Sequence, residues 1–216
     1  MHPDNTREVF VNCPFDEAYR DIFYAIIFTV FDCGYNVRCA LEMQDSSEVR
    51  IEKIAKIIRQ CKYGIHDISC TELDENSGLP RFNMPFELGM FIGAKRFGDN
   101  RQREKVCLIL DKERCRYQRF ISDIAGQDIQ SHKNDVHEVI KVLRNWLQNA
   151  SGRTVIPGGN EILRRYQLLK SDLPVLCAKL RLDVDEMIFS DYINIVSIWL
   201  NENPSFSYKK QNLKII

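Results

Sequence analysis

The feature that most constrains this chain is a regular alternation of short apolar segments with longer amphipathic ones. The short segments cover residues 8–13, 35–41, 63–68, 105–110 and 127–130, and we predict a strand in each. The segment 105–110 (Lys-Val-Cys-Leu-Ile-Leu) is almost continuously apolar, which is typical of a strand buried on both faces. These strands would therefore lie inside a sheet that is covered on two sides.

The longer segments carry apolar residues at helical spacing. We predict helices over residues 16–31, 47–60 and 135–147, a further helix that begins at Asn83, and a weaker one over 117–124. Strands that alternate with helices imply parallel pairing with helices on both faces. The predicted fold class is α/β, a flavodoxin-like parallel sheet of about five strands with helices on both faces, plus C-terminal helices.

Small and flexible residues mark a boundary after residue 150. We predict an α/β domain over residues 1–150 and a C-terminal helical extension over 151–216. Helices are expected at 161–170, 173–182 and 189–200, and a polar tail at 203–216. Trp199 and Leu200 are candidates for an exposed oligomer interface, although these helices can equally cover an edge of the sheet.

Composition and charge exclude several function classes. The 216 residues contain 30 basic and 30 acidic side chains, so no overall field attracts nucleic acid or an anionic membrane. The longest strongly apolar run, residues 22–31, is too short to span a bilayer, and the N-terminus lacks the regions of a signal peptide. We expect a cytoplasmic protein that binds neither nucleic acid nor membrane.

The cysteines and histidines do not predict a metal site. Eight cysteines include no C-x-x-C pair, and the four histidines lack the spacing of metal ligands. We interpret the cysteines as reduced and mostly buried thiols in a reducing compartment. No metal and no cofactor are predicted.

Glu87 is the residue whose position is hardest to explain by folding alone. Asn83 is a plausible helix N-cap and Pro85 fits only a first helical turn, so a helix should start here. The positions three, four and seven residues after Glu87 are all apolar, so its carboxylate should lie along a buried stripe. Charged residues are rarely buried without a partner or a function. The alternative is that Glu87 caps a backbone amide or pairs with Arg81 or Lys95.

Two glycines follow on the same helix. Gly89 and Gly93 each cost about 1 kcal/mol relative to alanine in a helix interior. We predict that they allow the helix to approach the sheet closely. The charged run over residues 95–105 is predicted to be a solvated loop.

Other polar side chains should meet Glu87 at the carboxyl ends of the strands, where parallel sheets bind ligands. Asp67 can hold ribose hydroxyls or assist proton transfer, or it can form an Asx turn with Ser69. His66 should point to the opposite face and is more simply a structural histidine.

The end of the first strand offers a second group. Asn12 can bind a base or a phosphate, and Phe15 can stack on a base. An equally plausible interpretation is a strand terminated by Pro14 with a hydrophobic staple into the following helix. Farther along, Arg116–Phe120 combines basic and aromatic side chains, which suits either a small nucleic-acid surface or arginines that lie over a core aromatic residue.

The glutamate segment carries a family resemblance. Pro80-Arg81-Phe82-Asn83-Met84-Pro85-Phe86-Glu87-Leu88-Gly89-Met90-Phe91-Ile92-Gly93 is similar to the Arg-x-Asn-Val-x-Phe-Glu-Leu-Gly-x-Phe-x-Gly signature of bacterial TIR-like nucleotide-binding domains. These domains belong to a superfamily with the nucleoside 2-deoxyribosyltransferases, whose first strand ends in a comparable Gly-Pro-Phe. The resemblance covers residues 7–148, and residues 151–216 match no family we can name.

The resemblance implies an activity and a set of site residues. It implies that the chain is an N-glycosidase that cleaves NAD, with Glu87 and Asp67 as catalytic residues. It places Asn12, Pro14, Phe15, Arg81, Asn83 and Phe86 around the substrate. NAD is then the substrate and not a cofactor, and the protein is expected to form homo-oligomers and to act in bacterial anti-phage defence.

Departures from the pattern keep other functions open. Asn83-Met84-Pro85 stands where deoxyribosyltransferases have Gly-Thr or a similar pair, and Cys13 stands where a small residue is common. A nucleoside or nucleotide deoxyribosyltransferase or N-glycosidase is therefore an alternative. A non-catalytic module that senses a nucleotide or mediates assembly is a third possibility.

Overall fold

A computed structural model describes residues 7–42, 45–73, 78–153 and 156–204. Its strands are β1 (Glu8–Asn12), β2 (Asn36–Arg38), β3 (Tyr63–Asp67), β4 (Val106–Asp111) and β5 (Gln130–Ser131). They form one parallel sheet in the order β2-β1-β3-β4-β5. This is the order of flavodoxin-like folds, so the predicted fold class is confirmed.

Helices cover both faces of the sheet. They are α1 (Arg20–Asp32), α2 (Arg50–Gln60), α3 (Asn83–Phe97), α4 (Asn100–Arg103), α5 (Val136–Ser151), α6 (Gly159–Leu180) and α7 (Phe189–Glu202). One face packs against α1 and α5, and the other packs against α2 and α3. The weak helix predicted over residues 117–124 is replaced by two short 3-10 turns, Arg116–Arg119 and Ser122–Ile124.

The C-terminal helices form a third layer. Helices α6 and α7 pack on the outer side of α1, and α6 also packs on α5, so α1 lies between the sheet and this layer. Six consecutive α1 residues, 25–30, have no solvent exposure, and Thr29, the one polar residue among them, donates its hydroxyl to the carbonyl oxygen of Ala25. This explains why α1 is apolar on all sides: a helix buried on every side has no polar face to present. The predicted extension therefore shares its core with the α/β unit.

One prediction about the extension is wrong, and one of the two alternatives for Trp199 is not observed. Helix α6 is a single helix that contains Pro174, where two helices were predicted, because one buried stripe continues from Tyr166 to Cys177 across the proline. Trp199 is buried and donates its Nε1–H to Asp172 at 2.8 Å, so it is no exposed interface residue. Within the described residues, none of the helices combines the length and apolar character that crossing a bilayer requires. The predicted tail falls outside the described residues from position 205.

A buried ion pair fastens the third layer to α1. Arg165 of α6 lies 3.0 Å from Asp32, the last residue of α1, and also donates to the carbonyl oxygen of Asn203. Burial raises the pKa of Asp32, and the contact with Arg165 opposes that rise. Removing one partner would leave a buried charge uncompensated, which makes the pair a strong constraint on where α6 sits.

The close approach between α3 and the sheet is made by a glycine of the sheet. Among described residues, a Cβ atom added to Gly89 or Gly93 would meet no atom within 4 Å, so the role predicted for these two glycines is wrong. A Cβ atom added to Gly64 in β3 would lie 2.8 Å from the Phe91 ring and 2.7 Å from His66 Nε2. Gly64 therefore provides the space in which Phe91 of α3 packs.

The charged run over residues 95–105 is not the predicted solvated loop. Helices α3 and α4 occupy most of it, and Lys105 is buried. The Lys105 ammonium group donates to the carbonyl oxygens of Ile58, at 2.5 Å, and Cys61, and lies 4.6 Å from the centre of the Phe91 ring. Because these carbonyls end α2, Lys105 acts as a cap for that helix. Burial lowers the pKa of Lys105 to about 8.

All eight cysteines are free thiols, as predicted from their spacing. Five are buried, namely Cys13, Cys33, Cys39, Cys61 and Cys177. Burial raises the pKa of Cys39 and Cys61 to about 12, so these groups are neutral thiols near pH 7.

Candidate functional site

The order of the strands defines where a ligand site is expected. In a 2-1-3-4-5 sheet the connections leave β1 and β3 in opposite directions, which opens a crevice beyond their carboxyl ends. Asn12 ends β1 opposite His66 of β3, and Asp67 is the next residue of β3. The predicted site residues of these two strands therefore lie at the crevice.

Glu87 of α3 is a buried carboxylic acid without a polar partner. Its exposed fraction is 5%, and it makes no hydrogen bond or ion pair with any described residue. The predicted position on the buried face of the helix is confirmed, whereas the alternative of a pair with Arg81 or Lys95 is not observed. Burial raises the pKa of Glu87 to about 7, and the charge of Arg50 opposes this only in part.

Two thiols mark the surroundings of this carboxyl group. Burial is the main cause of the raised pKa of Cys13 and Cys39, and the charge of Glu87 adds to it in both. Cys13 directly follows β1, and Cys39 directly follows β2. Glu87 therefore faces the carboxyl ends of β1 and β2 from the α2–α3 side.

Asp67 is the opposite case, because it is fully buried and fully partnered. The Tyr19 hydroxyl donates to Oδ2 at 2.5 Å, and the Ser69 backbone N–H donates to Oδ1 at 2.8 Å in the predicted Asx turn. His132 Nε2 lies 3.0 Å from Oδ2, a close polar contact rather than a straight hydrogen bond. Burial raises the pKa of Asp67, but His132, Ser69 and Tyr19 together outweigh it, and the net effect is a lowered pKa.

This carboxylate joins three loops at the edge of the sheet. Tyr19 follows β1, Ser69 follows β3, and His132 follows β5. His132 Nδ1 accepts the backbone N–H of Asn134 at 3.0 Å, which assigns the ring proton to Nε2, the atom that faces Asp67. Asp67 thus holds the walls of the crevice together from the α1–α5 side.

Arg116 adds the loop after β4 to the same assembly. Its guanidinium donates to Asp111 Oδ1 at 2.8 Å and to the carbonyl oxygens of Ile68 and Ser69 at 3.0 and 2.8 Å. It also lies 4.9 Å from the centre of the Phe120 ring. In this basic–aromatic segment, Arg116 therefore makes hydrogen bonds within the protein and lies over an aromatic ring.

Asn12 and His66 are placed inside the molecule. The Asn12 amide donates to the carbonyl oxygen of Met84 at 2.9 Å and lies 3.2 Å from His66 Nδ1. Asn12 thereby fixes the first turn of α3, which carries Glu87, to the end of β1. His66 packs edge-on against Phe10 and Phe91, and burial lowers its pKa to about 3, so it is a neutral structural histidine.

The remaining residues of the first loop divide between core and surface. Pro14 is buried, and Phe15 is 38% exposed with its ring 5.1 Å from that of Phe23 on α1. Phe15 thus packs on α1, as the alternative interpretation expected, although it precedes the N′ position that a hydrophobic staple uses. The Arg81 guanidinium donates to Asp16 at 2.5 Å, so an ion pair links the loop after β1 to the segment before α3.

The start of α3 presents aromatic side chains to solvent. Phe82 and Phe86 are 63% and 59% exposed and lie one turn apart. Asn83 is exposed and is the first residue of the helix, so the predicted N-cap is one residue off; Phe82 holds that position without a side-chain cap. Phe86 and Asn83 therefore line the outside of the helix, whereas Glu87 faces inward.

Tyr19 and His132 were not predicted as site residues. Both are distant in sequence from Asp67, and no local pattern distinguishes them from ordinary core positions. The site thus combines one unpaired buried acid, an adjacent exposed aromatic surface and a rigid set of loops, which together suit chemistry at a carbon atom that develops positive charge. Compared with known proteins, the chain matches no family model and no curated protein.

Proposed function

We propose that this protein cleaves the N-glycosidic bond of NAD and releases nicotinamide, with Glu87 as the catalytic residue. The observation that carries the proposal is Glu87 itself: a buried carboxylic acid, near the carboxyl ends of β1 and β2, without a polar partner among the described residues. Leaving an acid in this state costs stability. A binding or catalytic role accounts for that cost.

The chemistry of NAD suits a site with a single free carboxylate. When the bond between the ribose C1′ and nicotinamide breaks, its electron pair leaves with the pyridinium nitrogen, and nicotinamide departs as a neutral molecule. No proton donor is needed. Ionised Glu87 then stabilises the positive charge on C1′ or forms a bond to it, and water supplies the oxygen that completes hydrolysis with loss of a proton.

A simple nucleoside makes a different demand. Its base leaves as an anion unless a general acid protonates it. Glu87, with a pKa of about 7, cannot donate this proton and act as the carboxylate at C1′ in the same step. Asp67 and His66 are poorly suited as the acid, because Asp67 is held ionised by its partners and the pKa of His66 lies near 3. This difference favours NAD over a deoxynucleoside. We propose the cytoplasm, where NAD is available, as the place of action, and a homo-oligomer as the active form.

The direct test measures nicotinamide release from NAD by the purified chain over a range of protein concentrations. We expect Glu87→Gln to lower the rate by about a thousandfold or more, which is the scale of removing a preorganised charge from a transition state. Release by the wild-type chain should also rise with pH through about 7, because the ionised form of Glu87 is the active one. Glu52→Gln, on the exposed side of α2, is the matched control and should retain full activity.

Other outcomes identify the alternatives. Release of free base from deoxynucleosides but not from NAD would replace NAD by a nucleoside substrate. Thermal stabilisation by NAD that is equal in wild type and Glu87→Gln, with no turnover at any protein concentration, would indicate a nucleotide sensor and overturn the enzymatic proposal.

A further inference from the structure

A cavity lies at the carboxyl-end edge of the sheet, on the α1–α5 side, away from Glu87. This cleft has a volume of about 460 Å³ and runs between the starts of α1 and α5. Pro14, Tyr19 and Val136 contribute apolar walls, and Ser69 lies where the Asx turn of Asp67 ends. Its walls are the loops that Asp67 joins, so the cleft is built by a rigid, buried network. Pockets of this size hold small organic ligands.

The charges around the cleft restrict what it can hold. Asp16, Asp21 and Glu72 line it, and Lys112, the one cation among its described lining residues, is already paired with Glu72. Carboxylates repel phosphate but accept hydrogen bonds from hydroxyl and amino groups, such as the hydroxyls of a ribose. The lining therefore fits the uncharged part of a nucleotide and not its phosphates.

The Asp16–Arg81 ion pair separates the cleft from the Glu87 side. Asp16 belongs to the cleft wall, while Arg81 precedes the helix that carries Glu87. The two side chains are 35% and 49% exposed, and an ion pair this exposed contributes little stability. Giving up this ion pair with Asp16 for another anion would therefore cost Arg81 little. A guanidinium is well suited to bind a diphosphate through two hydrogen bonds.

We propose that this cleft holds the adenosine half of NAD, so that the dinucleotide lies across the edge of the sheet. Nicotinamide riboside would occupy the Glu87 side, Arg81 would bind the diphosphate in place of Asp16, and adenosine would enter the cleft. Dinucleotides bind in this way, across the point where the strand order reverses, in other open parallel sheets. The inference rests on the proposed function but predicts a binding site that can be tested without turnover.

The test fills the cleft without disturbing the core. Ala18 lies in the cleft wall and is exposed, so Ala18→Trp places an indole ring in the adenosine position. Ala55→Trp, at an exposed position of α2 away from the cleft, is the matched control. Binding of ADP-ribose and of nicotinamide riboside is measured by calorimetry on the whole 216-residue chain, and the KM for NAD is measured alongside.

We expect Ala18→Trp to weaken ADP-ribose binding at least tenfold and to raise the KM for NAD, while nicotinamide riboside binding stays at the wild-type level. Ala55→Trp should change neither. Equal ADP-ribose affinity in Ala18→Trp and wild type, or no ADP-ribose binding by wild type at millimolar concentration, would overturn the cleft assignment. ADP-ribose binding that Ala18→Trp weakens, without any cleavage of NAD, would support the cleft and contradict the proposed enzymatic function.

Discussion

The two faces of the sheet each hold a buried carboxyl group, and the two groups differ in their polar partners and in the direction of their pKa shift. On the α1–α5 face, a third layer of helices completes the core and Asp67 is held by three polar groups. On the α2–α3 face, the apolar clusters are smaller, phenylalanines remain exposed, and Glu87 has no partner among described residues. The pKa of Asp67 is lowered and that of Glu87 is raised to about 7. Burial by itself therefore does not decide the direction in which the pKa of an acid shifts, whereas its set of partners does.

The largest expected effect on stability comes from Asp67. Asp67→Ala would leave the Tyr19 hydroxyl and the Ser69 N–H buried without their acceptor and would remove the carboxylate beside His132 Nε2. We expect a loss of about 3–5 kcal/mol in the free energy of unfolding. Urea denaturation at pH 7 measures it. Asp21→Ala is the control, because among the described residues the carboxylate of this exposed aspartate pairs only with Lys170, and its loss should cost less than about 1 kcal/mol. A loss below about 1 kcal/mol in Asp67→Ala would contradict the structural role.

Substitution of Glu87 should change the free energy of unfolding in the opposite direction and stabilise the protein. Because its pKa is raised from 4.5 to about 7, the folded state holds more protons than the unfolded state between these values. Stability contributed by the protonated acid is thus complete below about pH 4.5 and is lost as the pH rises through 7. We expect Glu87→Gln to stabilise the protein by up to about 3 kcal/mol above pH 7 and by little at pH 4.5.

Urea denaturation of wild type and Glu87→Gln at pH 5 and pH 8 tests this sign. If Glu87→Gln destabilised the protein at pH 8, as is expected of Asp67→Ala, the proposed difference between the two acids would be contradicted. Loss of NAD cleavage together with a gain in stability is the combination that distinguishes a reactive acid from a structural one.

Packing on the α2–α3 face can be tested at Gly64. Gly64→Ala would bring a methyl group to 2.8 Å from the Phe91 ring, and displacing that ring should cost about 1–3 kcal/mol. Because Phe91 lies one turn after Glu87, the substitution should also reduce turnover. An unchanged midpoint of urea denaturation would show that α3 can shift without cost.

The smallest change in stability is expected at Gly89, where alanine should stabilise the protein and not destabilise it as at Gly64. A Cβ atom there meets open space among described residues, so Gly89→Ala should stabilise α3 by up to about 1 kcal/mol through helix propensity alone. Thermal denaturation of Gly89→Ala and Gly64→Ala side by side provides the measurement. Destabilisation by Gly89→Ala would indicate that a partner or ligand approaches this face of α3.

Much of the fold follows from patterns that are local in the sequence. The spacing of apolar residues in α1, α2 and α5 predicts those helices, and the apolar run at β4 predicts a buried strand. The inward direction of Glu87 follows from its spacing to the apolar residues one and two turns later. These features depend on residues within a few positions of each other, so the periodicity of apolar residues is enough to predict them.

The errors concern contacts between distant segments. Lys105 looks like part of a charged loop, yet it is buried because carbonyl groups at the end of α2 accept its hydrogen bonds. Pro174 looks like a break, but packing against α1 continues on both sides of it. In each case a partner far away in the chain outweighs the local preference.

The sequence by itself determined the parallel α/β class and the buried position of Glu87, because both depend on short-range periodicity. Only the tertiary structure decided that Asp67 is satisfied while Glu87 is not. Tyr19 and His132 reach Asp67 from other loops, and no group among the described residues does so for Glu87. The number of partners available to a buried charge is a property of the assembled fold, since each partner comes from a different strand or loop.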